Sequence, residues 1–219
     1  MGKISKSKKS QKDGILIENT VVIDEGCEIF EGVILRGSTH IGAGSVILPG
    51  SVITDSIIGK NSIVKTSYIE KSEIGENNTI GPFTNLLPGV ITKNNVKIGS
   101  NCDIGKTLIG ENTRVGSGCC IVDAIIEKES LVNSGVCVSN FNGKVSQKTK
   151  IGEHCFIGCN STINAPVLIN KNSYILPQTY IKDDVCENSF ALSKYSTKAM
   201  PIRDKIYWKN KSHQKDEIK

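Results

Sequence analysis

An aliphatic residue returns at every sixth position through most of this chain. Ile17, Ile23, Ile29, Leu35, Ile41, Ile47 and Ile53 run without a break, and after a five-residue step Ile58, Val64, Ile69, Ile74, Ile80 and Leu86 continue the count. The series resumes at Ile98 and runs through Ile104, Ile109, Val115, Ile121, Ile126 and Val132 to Val138. It closes with Ile151, Ile157, Ile163, Ile169, Ile175 and Ile181. A helix repeats at about 3.6 residues and a half-buried strand at about 2, so this period marks a repeat architecture.

Glycine follows ten of these aliphatics, as at Ile41-Gly42, Ile109-Gly110 and Ile157-Gly158, and four residues on stands a small or β-branched residue such as Ser45, Cys102, Thr113 or Ser161. The expected reason for the glycines is their tolerance of backbone angles that other residues resist. The pattern [LIV]-G-x-x-[STAVC]-x resembles the hexapeptide repeat of left-handed parallel β-helices. That resemblance implies an all-β fold in which each hexad forms one side of a triangular prism and three hexads form a coil. Roughly nine coils at about 4.8 Å each would give a rod about 40 Å long. The chain of 219 residues then reads as one rod over 15–182 with an inserted loop at 139–150, a basic tail at 1–14 and a C-terminal extension at 183–219.

Aromatic residues make up only 5% of the chain, which suits a thin prism better than a globular core. The net charge of +5 is concentrated in the two tails, and no basic stripe carries interleaved aromatics, so neither nucleic acid nor a membrane is expected as a partner. The eight cysteines include no C-x-x-C pair, which argues against a zinc site. Cys27, Cys102, Cys119 and Cys155 fall in the small inward slot, where thiols act as small hydrophobes. Free thiols without a secretory signal point to the cytoplasm.

The rhythm breaks once clearly. From Val138 to Ile151 the step is thirteen residues, a hexad plus seven, and the insert contains Asn142-Gly143, which is turn chemistry. A protruding binding loop is expected there. The motifs around it carry a second resemblance: Thr79-Ile80-Gly81-Pro82-Phe83 with Leu86-Leu87-Pro88-Gly89, Asn140-Phe141-Asn142-Gly143, Ile163-Asn164-Ala165-Pro166-Val167, and Glu187 to Lys194. In one gapless register these resemble the C-terminal acetyltransferase half of the bifunctional N-acetylglucosamine-1-phosphate uridylyltransferase/glucosamine-1-phosphate acetyltransferase family. The glycine-rich motif of the nucleotidyltransferase half is missing, so no uridylyl transfer is expected.

The resemblance implies acetyl-CoA as co-substrate, with Asn140, Phe141, Cys159, Pro177 and Lys194 on the cofactor side. It implies a homotrimer acting on a sugar-phosphate or sugar-nucleotide acceptor. It also exposes departures. The family's catalytic histidine falls on Ser117, its phosphate-binding arginine on Leu87 and a lysine on Gly105, with Lys106 beside it. A family tyrosine falls on Cys120, an asparagine on Leu131, and the loop lysine on Ser146, near Lys148. The catalytic residue is therefore unassigned. His40, His154 and His213 read as structural or solvent-exposed, His154 being the one nearest the loop. Acylation of an amine needs a base, because a protonated amine cannot attack a thioester. Two functions follow: an acyltransferase with a changed acceptor, or a catalytically silent trimeric scaffold or regulatory subunit.

Overall fold

A computed structural model describes residues 14–141 and 144–193. The segments 1–13 and 194–219, with Lys194, Trp208 and His213, and the loop residues Asn142 and Gly143 lie outside that description. The fold is a left-handed parallel β-helix of three sheets with ten, nine and ten strands. The first sheet runs from Leu16–Ile17 to Tyr180–Ile181, the second from Val22–Ile23 to Leu168–Ile169, and the third from Glu28–Ile29 to Phe190–Ala191. Each strand pairs in parallel with the strand one coil away. Leu16 sits opposite Ile34, Ile53 opposite Ile69 and Ile104 opposite Ile121, so a coil takes 16 to 18 residues, and 25 where the loop is inserted, as from Val138 to Ile163. Among the described residues no helix is long and apolar enough to cross a membrane.

The hexad aliphatics stack in three inward columns. Leu35, Ile53, Ile69, Leu86, Ile104, Ile121, Val138 and Ile163 form the buried line of the first face. Burying each such side chain contributes about 1.5–3 kcal/mol. No aliphatic marks the step between Leu86 and Ile98, yet the coil is complete. Thr92 takes the inward slot on the second face, buried and opposite Ile74. Its hydroxyl is satisfied from inside the prism. The Asn78 amide donates to Thr92 Oγ1 at 2.6 Å and to the Lys93 carbonyl at 3.0 Å, while Asn78 Oδ1 accepts the Val96 N–H at 2.6 Å. A buried polar pair costs little when each group finds a partner.

The glycines of the repeat have a different cause from the one the sequence suggests. Of the ten that follow a hexad aliphatic, only Gly81 has a left-handed φ. The others, Gly105 aside, are there for want of room. A Cβ on Gly110 would lie 2.4 Å from the Lys128 nitrogen, and one on Gly158 2.3 Å from the Pro177 nitrogen. Where these glycines stand, at the two corners that flank the third face, the chain runs so close to the next coil that a methyl would strike its backbone. The left-handed angle falls two residues further on, where Asn61, Asn77, Asn95, Asn112 and Asn172 line the corner between the second and third faces. Asparagine tolerates that region well among residues bearing a side chain.

Past residue 182 the coil continues. Val185 bridges to Ile169, and Phe190–Ala191 pairs with Tyr174–Ile175 on the third face. The aromatic rings stack outward there. The Phe156 and Tyr174 centroids are 4.2 Å apart, and those of Tyr174 and Phe190 are 5.8 Å apart.

Candidate functional site

Three of the residues singled out by sequence share one edge of the rod. At the corner between the third and first faces, the N–H of one coil donates to the carbonyl of the coil before it. Gly118 reaches Ser100 at 2.8 Å, Gly135 reaches Ser117 at 2.9 Å, Asn160 reaches Ser134 at 2.9 Å, and Gln178 reaches Cys159 at 2.8 Å. Ser100, Ser117, Ser134, Cys159 and Pro177 thus stand one above another. Ser117, Cys159 and Pro177 are exposed, which leaves a shallow rail of small side chains. The Ser100 hydroxyl donates to Ser117 Oγ at 3.1 Å and the Ser100 N–H to the same oxygen at 3.2 Å.

No histidine stands on this corner among the described residues. His154 turns the corner between the second and third faces, with its Nδ1 3.0 Å from Glu129 Oε2. His40 pairs with Asp24 at 3.1 Å near the other end of the rod. A serine whose side-chain partner is another serine is a poor proton acceptor. The rail can orient a substrate but holds no evident base.

The loop leaves from the opposite edge of the same first face. One coil earlier a single residue turns this corner, Asp123 between Cys120–Val122 and Ala124–Ile126, and at the other coils two to four residues do. Here Cys137–Ser139 ends one strand and Thr149–Ile151 begins the next. The strands thus claim both ends of the 139–150 interval and leave 140–148 to project. The loop base is a small antiparallel turn in which Phe141 bridges Ser146 and the Gln147 N–H donates to the Asn140 carbonyl at 2.6 Å. It is tied down on both sides. The Ser139 hydroxyl donates to Asn164 Oδ1 at 3.1 Å, and Lys148 Nζ lies 3.8 Å from Asp123 Oδ1. Asn140 is half-buried at the root, while Phe141 is 55% exposed, an uncovered flat ring on the flank of the rod.

Between the two edges lies the first face itself. Leu87 and Gly105 adjoin near the loop edge, where a Cβ on Gly105 would meet the Leu87 Cβ at 3.4 Å. Lys106 is carried round the corner by a left-handed φ of 48°, away from the Gly105 position. Toward the rail, the Asn85 amide donates to Asp103 Oδ1 at 2.6 Å, and Cys120 pairs in register with Asp103 and Cys137. Leu131 points out from the third face. Of the positions that the family resemblance marks for a sugar phosphate, those on this face carry no cation.

The structure therefore brings Ser117, Cys159 and Pro177 together, and separately Asn140 and Phe141, but does not join the two groups within one chain. A prism side of about six residues at about 3.3 Å each holds the corners roughly 15–20 Å apart. The signal was available by counting hexads in threes. Ile121 and Val138 share a face, so the insert after Val138 must leave from the edge opposite the one that Ser117 approaches.

Comparison with known proteins bears on the family and the fold. The chain is 36% identical over 178 residues to the bifunctional protein GlmU of Clostridium kluyveri, an alignment covering 81% of this chain and 39% of that protein. It is 38% identical over 182 residues to GlmU of Clostridium acetobutylicum, covering 83% and 40%. The chain spans about two fifths of the length of these curated relatives. Among solved structures, the UDP-N-acetylglucosamine acyltransferase of Arabidopsis superposes with a TM-score of 0.57 at 16% identity, over 82% of this chain and 70% of that one. That of Francisella novicida gives 0.56 at 17% identity, over 77% and 65%. At such identities the likeness is one of fold. The model of the GMPPB C-terminal domain family matches residues 68–191, a stretch that takes in the rail from Ser100 to Pro177 and the whole projecting loop, and to that family this chain belongs.

Proposed function

We propose that this protein is a hexapeptide-repeat acyltransferase that binds acetyl-CoA and acylates a sugar-type acceptor as a cytoplasmic homotrimer. One observation carries the reading. Of the residues matched to the acetyl-CoA side of the GlmU acetyltransferase half, the four described ones, Asn140, Phe141, Cys159 and Pro177, lie on the two edges of a single face, with a flat exposed ring at one edge and a smooth rail at the other. On one rod the two edges stand roughly 15–20 Å apart across an open face, whereas the loop of one copy laid against the rail of its neighbour encloses a pantetheine arm between them. Three-fold packing of identical prisms repeats that contact and closes it. Phe141 then supplies an apolar plane for the pantetheine and adenine, and Cys159 and Pro177 form a low wall along which the arm can run. Lys194, outside the described residues, remains the candidate for the phosphates, as a point charge.

On this reading the acceptor nitrogen or oxygen attacks the thioester carbonyl, the CoA thiolate leaves, and the proton lost by the acceptor goes to a base. Ser117 cannot be that base. An amine of low pKa, or a hydroxyl that the acceptor itself activates, would lessen the need for one. The face between the edges, with Asp103 and the Leu87–Gly105 pair, favours an acceptor that places no phosphate there. The second reading, a silent trimeric scaffold, is favoured by the same serine.

Isothermal titration with acetyl-CoA tests binding. The expected result is saturable heat with one site per chain, weakened about tenfold in Phe141→Ala, equivalent to about 1.4 kcal/mol. The absence of heat at millimolar acetyl-CoA would remove the cofactor reading and leave the scaffold.

A further inference from the structure

The first face carries two thiols that the acyl-transfer reading does not use. Cys120 and Cys137 are register partners on adjacent parallel strands. Both lie on the outer side of the sheet, Cys120 exposed and Cys137 half-buried, and the Cys137 thiol is near enough to influence that of Cys120. Neighbouring strands stand about 4.8 Å apart, inside the Cα separation of about 4.4–6.8 Å that a disulfide spans. One coil earlier, Cys102 and Cys119 also stack, but they point into the prism. Their thiols are buried and donate to the Gly116 carbonyl at 3.1 Å and the Asn133 carbonyl at 3.2 Å. The two pairs share the coil that carries Cys119 and Cys120, one pair facing solvent and the other sealed from it.

We propose that Cys120 and Cys137 are an oxidative modification site, closing to a disulfide across two coils when the protein meets a low-molecular-weight disulfide such as oxidised glutathione. The thiolate of one cysteine attacks a sulfur of the reagent, forms a mixed disulfide and expels one glutathione thiolate. The second cysteine, deprotonated in turn, attacks the protein sulfur of that mixed disulfide and expels the other. Two protein thiols and one glutathione disulfide become one protein disulfide and two glutathiones. The bond would tie the coil that bears Ser117 to the coil that launches the loop, because Cys137 begins the strand that ends at Ser139, next to the loop root. It would also lie across the middle of the face between loop and rail. Burial, and beyond it the nearby Cys137 and Asp103, hold the Cys120 thiol above its ordinary pKa. The thiolate fraction at neutral pH is therefore small, and closure should speed up as the pH rises.

The test treats the full-length protein with oxidised glutathione at pH 8 and maps the tryptic peptides without reduction. Residues 115–128 and 129–144 are cut apart at Lys128, so the disulfide appears as a covalent link between them. The expected result is that link, with the loss of two titratable thiols, in the native protein and in Cys119→Ser, and no link in Cys120→Ser. Cys119→Ser should fold, because Ser51 and Ser67 already fill the same inward column. Three outcomes would overturn the proposal: no link, glutathione adducts that never resolve, or a link that persists in Cys120→Ser.

Discussion

Gly110→Ala should lower the stability of the rod by about 3 kcal/mol, the upper end of what overpacking costs. The added methyl would lie 2.4 Å from the Lys128 nitrogen, which belongs to the backbone of the next coil and cannot swing aside as a side chain can. Relief requires the two coils to part, and parting weakens the ladder bond from the Gly110 N–H to the Ile126 carbonyl, 2.7 Å long. Two controls separate room from torsion. Gly105→Ala meets only the Leu87 side chain, at 3.4 Å, and should change stability by no more than about 0.5 kcal/mol. Gly118→Ala has room for its methyl but a φ of 70°, and should cost about 1–2 kcal/mol. Urea midpoints of the three variants give the order. A Gly110→Ala variant as stable as Gly105→Ala would mean that the corners are looser than described.

Two defective variants should repair one another. Cys159→Trp places an indole on the rail and should weaken acetyl-CoA binding by at least a hundredfold, or about 2.7 kcal/mol. Phe141→Ala damages the loop on the other edge. In trimers assembled from equal amounts of both, about one quarter of the clefts join an intact loop from one copy to an intact rail from the next. Titration of the mixture should recover binding of nearly native affinity at that fraction of sites. Recovery is impossible if each chain builds its site alone, so a mixture no better than the average of the two variants would refute the shared cleft.

How much of this was legible in the sequence depends on which property each residue reports. The fold was legible because the inward column is hydrophobic and periodic, and stacking forces every coil to repeat the same burial. It failed to show at Thr92, where a hydroxyl satisfied by Asn78 replaces an aliphatic, since a pattern of apolar residues cannot register a polar pair that is internally bonded. The repeat glycines were visible but their cause was not. Clearance to the next coil is set by residues about one coil away, and nothing local distinguishes a glycine kept for room from one kept for angle. The loop was legible as a break in period. The opposition of loop and rail followed from a count in threes, but their function as one site requires a second copy, and a single chain's sequence does not display its neighbour's edge. Lys194 was legible only through the family resemblance and lies beyond the described residues.

Crystals soaked with CoA offer the most direct test of the shared cleft. Pantetheine density should lie against Phe141 of one copy while running along the Cys159–Pro177 rail of the adjacent copy. Density in which one chain supplies both contacts, or a CoA bound away from this face altogether, would contradict it.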